Sequence, residues 1–182
     1  MKKLNLSKSY LLTVLFLSFF VTGCSKCLDF SDESVGTQFT VGQSFTDNGI
    51  NVDVEQFQWP NGTWATNGRA EIKGTNLAGG TGNEINTNNV NLKFNFNYPG
   101  KKIVLKFAEL GGNNNINVNG TFQNVADLIN IDGTVIDGNQ ITVTATQQGN
   151  NWVGTMIVDG NNISAFSIGG QELWMDDVCF TK

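Results

Sequence analysis

Two runs of strict alternation, Val90–Tyr98 and Lys101–Leu110, constrain this chain more than any other stretch. Val90, Leu92, Phe94 and Phe96 alternate with Asn91, Lys93, Asn95 and Asn97. Ile103, Leu105 and Phe107 resume the rhythm against Val104, Lys106 and Ala108. A period of two is what a strand shows when one face is buried and the other is wet. Tyr98-Pro99-Gly100 reads as a turn, so the two runs are expected to pair as a hairpin flooring a sandwich core. Shorter alternations recur along the chain, with Ile141, Val143 and Ala145 the clearest. Turn signals separate them at near-regular spacing, which predicts an all-β antiparallel sandwich or barrel of about ten short strands.

The first stretch does not fit that pattern. Lys2, Lys3 and Lys8 lead into an apolar run, Tyr10–Val21, that is too short to cross a bilayer. Charge, apolar run and small residues in that order make an export signal. It ends in Val21-Thr22-Gly23-Cys24, which resembles the lipobox of bacterial lipoproteins. The resemblance implies a signal peptide over residues 1–23, the only expected helix, and acylation of Cys24. It implies a membrane tether rather than a span, since several acyl chains together give durable residence. Ser25, not an acid, follows the cysteine, a pattern similar to that of outer-membrane lipoproteins. Residues 24–34 are then expected to be the lipidated cysteine and an acidic tether, and residues 35–182 the sandwich domain.

Loss of the three leader lysines takes the net charge from −5 to −8. Such acidity argues against nucleic acid and against an electrostatic grip on anionic lipid. With Cys24 set aside, Cys27 and Cys179 remain, one near each end of an exported chain, where disulfides persist. First and last strands often lie side by side in sandwiches, so a bridge is expected. The alternative is two free thiols, with Cys179 buried as a small apolar residue.

Several local readings follow. Ile50, Val52 and Val54 alternate, but Phe57 and Trp59 fall on the other parity, which predicts a bulge near Glu55-Gln56. Thr75–Asn89 and Gly111–Asn115, rich in Gly and Asn, read as loops. Thr121–Ile131 mixes turn residues with helical spacing and reads as irregular.

The closing segment Leu173-Trp174-Met175-Asp176-Asp177-Val178-Cys179-Phe180 resembles the last strand of galactose-binding-like jelly-roll modules. The opening Leu28-Asp29-Phe30-Ser31-Asp32-Glu33 is similar to their first strand. The resemblance covers only the two ends; it implies a jelly-roll-like arrangement and a structural calcium held by acids at the termini. Carried over residue by residue, the candidates are Asp29, Asp32, Asp176 and Asp177, since calcium takes hard oxygen ligands. Adjacent Asp176 and Asp177 should point to opposite faces, so one of them is the ligand. The competing reading is solvated acids that discourage edge pairing.

The chain has no histidine, which removes Ser-His-acid and Cys-His nucleophiles and histidine-bound metals. A two-carboxylate glycosidase drawing on Glu71, Glu84, Glu109 and Glu172 is the one catalytic alternative. Binding fits better. Four tryptophans are many for one domain, and Trp59, Trp64 and Trp152 lie at or near turns. Flat rings beside amides suit sugars, whose C–H faces stack while hydroxyls hydrogen-bond. Trp59, Trp64, Arg69, Glu109 and Trp152 are therefore the candidate residues for binding a polysaccharide or other glycan. Trp174 is expected in the core, and Trp152 shares parity with core positions. The alternative function is a structural or adhesion lipoprotein working through protein contacts.

Overall fold

A computed structural model describes Ser25–Lys182; the expected signal peptide and Cys24 lie outside the described residues. The described chain is all-β and antiparallel, with thirteen strands where about ten were expected. In order they are β1 (Ser25–Leu28), β2 (Gln38–Thr40), β3 (Ser44–Asp47), β4 (Ile50–Gln56), β5 (Arg69–Lys73), β6 (Glu84–Asn88) and β7 (Val90–Asn95). Then come β8 (Gly100–Val118), β9 (Thr121–Val125), a 3-10 turn at Leu128–Ile131, β10 (Val135–Ile136), β11 (Asn139–Gln148), β12 (Asn151–Ile163) and β13 (Phe166–Thr181).

Two long strands hold the rest. β8 and β13 pair from Phe166↔Val118 to Thr181↔Lys102, and this ribbon folds over a corner. At the corner the register shifts opposite Gly111, and Gly111 and Gly112 take φ of 147° and 78°. A side chain at Gly112 would meet Gln171, whose Oε1 accepts the Asn113 amide at 2.7 Å. On one side of the corner the ribbon carries β7, β4 and β3 on one edge and β9 on the other. On the other side it carries β6, β5 and β2 on one edge and β12, β11 and β10 on the other, with β1 beside the end of β13. The two halves share one apolar core, in which Phe94 stacks near Phe166 and Phe96 lies on Phe180 at 3.7 Å between ring centroids.

Four local readings need correction. Val90–Asn95 and Gly100–Val118 are strands, but they do not pair: β7 lies between β4 and β13, while β8 lies between β12 and β13. Pro99-Gly100 belongs to a crossover between the halves, not to a hairpin. Gly111–Asn115 is not a loop but the corner of β8, and Glu84–Asn88, within the expected Thr75–Asn89 loop, is β6. The parity change after Val54 is the end of β4 rather than a bulge: Phe57 starts a small turn closed by the Ala65 amide on its carbonyl. The bulge is at Asp176–Asp177 instead, where Asp177 takes φ 45°. It switches parity, so that Leu173 and Met175 before it and Val178 and Phe180 after it all face the core.

Ser25–Leu28 is no tether. It is the strand β1, with Cys27 directly opposite Cys179 and Leu28 and Phe30 fully buried. The two cysteines form the expected disulfide, closing 152 residues of chain. On the chain-entropy account a loop of that size constrains the unfolded state by roughly 5 kcal/mol, with strain subtracting from it. Replacing both cysteines with serine should therefore cost roughly 2–5 kcal/mol in denaturant unfolding, and reductant should act on the wild type alone. An unchanged midpoint would contradict the bridge's role.

Candidate functional site

The outer face of β4-β7-β13-β8-β9 is built by the same alternation that fills the core. Val52, Phe94, Phe166 and Val118 form one inward row, and Val54, Leu92, Ile168 and Ile116 another. The outward rows between them are polar. One runs Asp53, Lys93, Ser167, Asn117, Phe122; the next runs Glu55, Asn91, Gly169, Asn115, Asn124. Ser167 and Gly169 keep the centre of this face low. A side chain at Gly169 would strike the backbone of Asn91 and its Oδ1, so glycine lets that amide lie across the sheet.

Three asparagines clamp the segment after β4 onto this face. Asn115 Oδ1 accepts the Gln58 amide at 2.7 Å, and Asn115 Nδ2 donates to the Gln58 carbonyl at 2.9 Å. Asn124 Nδ2 donates to the same carbonyl at 2.8 Å, and Asn91 Nδ2 donates to the Gln56 carbonyl at 2.8 Å. Side-chain amides thus supply the partners that a further strand would have offered, which satisfies a buried backbone. The clamped segment folds back through Trp59–Thr63, with Asn61 Oδ1 accepting the Thr63 amide, and presents Gln58 and Trp64 as bridge partners.

Trp64 is consequently 52% exposed and Phe122 36% exposed, at the sides of an open groove of about 310 Å³. Glu55, Gln56, Asn91, Asn117 and Ser167 complete its lining. A shallower hollow continues past Lys93 and Gly120, sharing Glu55, Asn117 and Ser167. Glu55 is the only acid among these lining residues, and Lys93 Nζ holds it at 3.4 Å. Asn91 is only 5% exposed, and its Oδ1 is buried without a partner while its Nδ2 is fully used. A buried acceptor with no donor costs of order 1–3 kcal/mol unless water or a ligand supplies one. The groove therefore offers two exposed aromatic rings and neutral amides, with a buried, unpartnered acceptor beneath it.

Of the residues expected to bind, the groove contains only Trp64. Trp59 lies under the turn, edge-on to Phe57 at 5.3 Å. Arg69 faces a separate cleft with Gln38 and Asn88. Trp152 packs against the core. Trp174, expected in the core, is half-buried, with its Nε1 enclosed and without a partner. Glu109, in register with Trp152, is buried at 2% exposure, accepting from Asn114 Nδ2 at 2.6 Å and the Leu128 amide at 3.0 Å. It ties the 3-10 turn to β8 rather than facing a groove. Asn91, Asn117, Ser167 and Phe122 were missed. Their outward parity was visible, but it reads as ordinary wetting unless the neighbouring strands are known.

The candidate calcium ligands separate. Asp29, Asp32 and Asp177 line one cleft, but Asp176 is buried against Gly80. At least one oxygen of each acid in the cleft is engaged. Asp29 accepts the Ser31 amide, Asp32 the Asn48 amide, and Asp177 the Thr81 hydroxyl and Lys106. Among the described residues no group of three or more acids, cysteines or histidines is placed to hold a metal. The glycosidase carboxylates are also dispersed. Glu84 is buried, capping the Leu77 and Ala78 amides, and Glu71 pairs with Lys73 at 2.6 Å, which lowers its pKa.

No family model, curated protein or solved structure matches this chain. The likenesses at its two ends therefore rest on their own residues.

Burial is the main cause that pushes Glu109 from 4.5 up to about 7, against the opposing bonds from Leu128 and Asn114. A carboxyl whose folded pKa is raised binds its proton more tightly in the native state. Its contribution is complete below its unfolded pKa and is lost as pH rises through the folded one. Wild-type stability should thus fall between about pH 4.5 and pH 7, by up to roughly 3 kcal/mol from this group. Glu109→Gln, which mimics the neutral acid, should make that part of the profile less steep in pH-dependent denaturant unfolding, the remaining slope coming in part from Asp176, whose pKa burial also raises to about 7. Parallel profiles for the two proteins would contradict it.

Proposed function

We propose that this chain is a lipid-anchored, non-catalytic module of the bacterial cell envelope that binds carbohydrate in the groove between Trp64 and Phe122. The observation that carries the reading is the pair of exposed aromatic side chains flanking a floor of neutral amides. Sugars present weakly apolar C–H faces and many hydroxyls, so they gain from stacking and from neutral donors and acceptors together. An open groove along a sheet suits a chain passing through rather than a terminal sugar in a closed pocket.

Two further features favour binding over hydrolysis. The one acid lining the groove is paired with Lys93, and a two-carboxylate mechanism needs a second acid across the scissile bond. Without histidine, the common general base at neutral pH is also missing. The lipobox-like Val21-Thr22-Gly23-Cys24 supports residence on a membrane facing the envelope, with the outer membrane favoured by Ser25.

Affinity electrophoresis through gels cast with soluble polysaccharides tests this. At least one polysaccharide should retard the wild type, and Trp64→Ala and Phe122→Ala should each weaken that retardation about tenfold or more, the equivalent of roughly 1.4 kcal/mol. Trp152→Phe, on the core side, should leave it unchanged. A wild type that no polysaccharide retards, or a Trp64→Ala variant retarded like the wild type, would overturn the proposal.

A further inference from the structure

The eight cationic side chains after Cys24 fall into two groups. Arg69 and Lys73 pair with Glu71, Lys93 with Glu55, and Lys106 with Asp177. The other four, Lys26, Lys101, Lys102 and Lys182, lie at one end of the sandwich. The register places them there: Lys26 is opposite Phe180 next to Lys182, and Thr181 is opposite Lys102. Of these only Lys102 forms an ion pair, with Asp159 at 2.9 Å. Lys26, Lys101 and Lys182 form none among the described residues, so the domain's unneutralised cations all gather at this end. Acids also lie on this side of the domain: Asp137 accepts from Asn119, and Asp29, Asp32 and Asp177 line a cleft with Cys27, where Asp32 accepts the Asn48 amide and Asp177 pairs with Lys106. Tyr98 is there too, packed on Phe180 with Lys182 Nζ 3.5 Å from its ring centre.

The same end is where the chain enters. β1 starts at Ser25, immediately after Cys24, and is pinned by the Cys27–Cys179 bridge. If Cys24 carries the lipid, one residue spans at most about 3.6 Å, so the rigid sheet begins at the membrane surface. The lysine rim then lies within the screening length of the headgroups, about 8–10 Å at ordinary ionic strength. Lysine and tyrosine beside an anchor are the side chains that a charged interface holds.

We propose that this rim rests on an anionic lipid surface and fixes the domain upright. Lys26, Lys101 and Lys182 meet the headgroups, Tyr98 settles at the interface, and the acidic bulk faces away. The proposal depends on the lipid-anchor reading. It runs against the expectation from net charge: a chain that is acidic overall turns its unpaired cations toward the membrane.

The test uses the processed, acylated chain on vesicles of phosphatidylcholine alone or mixed with phosphatidylglycerol. Amine-reactive labelling followed by peptide mass spectrometry reads each lysine. On the anionic vesicles Lys26, Lys101 and Lys182 should label about fivefold more slowly than on neutral ones, with Lys73 and Lys93 unchanged. Salt at about 1 M, where the screening length is roughly 3 Å, should abolish the difference. A Lys26→Gln, Lys101→Gln, Lys182→Gln variant should still float with both vesicles but lose the wild type's preference for anionic ones in a mixture. Equal labelling of the rim on both vesicles, with the protein afloat, overturns the rim contact while leaving the anchor intact. A chain that is unprocessed and floats with neither vesicle overturns the anchor, and the rim proposal with it.

Discussion

The continuous pairing of β8 with β13 around one corner is the interaction on which everything else depends. A ribbon that bends through Gly111-Gly112 near Glu172 places its two halves in different layers, the same two strands resuming their pairing in a shifted register on each side. Each half then templates its own neighbours, so both layers inherit their register from one pair of strands. The disulfide stabilises the same pair from the far end, because Cys179 lies in β13 opposite Val104 of β8. Strands this long leave few edges, and the short β2, β3, β9 and β10 at the margins limit edge-to-edge association.

The groove is a consequence of this arrangement. Only after the corner do Asn115 and Asn117 of β8 face outward beside Ser167 and Gly169 of β13, and only there can β9 add Phe122 and Asn124. The amides of Asn91, Asn115 and Asn124 then dock a segment that would otherwise leave the Gln58 backbone unpaired. Trp64 is exposed because the side opposite it in the turn, Phe57 and Ala65, is the one that packs inward. Exposure of a large aromatic ring on a held turn is costly in water, and a ligand that covers it recovers that cost.

Alternation made the strands legible, and it named their buried faces correctly at Val90–Phe94, Ile103–Phe107 and Ile141–Val143. It could not name their neighbours. Pro99-Gly100 carries the chemistry of a tight turn, yet here it serves a crossover, because turn residues report local backbone and not the layer to which the next strand belongs. Asparagine misled in a related way. In Gly111–Asn115 it looked like turn demand, whereas Asn114 and Asn115 are buried strand residues whose amides hold Glu109 and Gln58. Charge was read as a sum, and a net of −8 concealed that the three lysines without an ion pair, Lys26, Lys101 and Lys182, share one end. Trp64 was legible as a candidate because it sits beside a Pro-Asn-Gly turn; Phe122 and Asn91 became visible only through strand pairing.

The most direct measurement follows side-chain N–H signals by NMR while a polysaccharide is titrated into the protein. The account predicts that the Trp64 indole and the Asn91 and Asn117 amides shift together and saturate at one affinity. The Trp152 and Trp174 indoles should stay in place. Shifts confined to the opposite layer, around Arg69 or Trp174, or no shifts with any polysaccharide, would contradict the assignment of this face as the binding site.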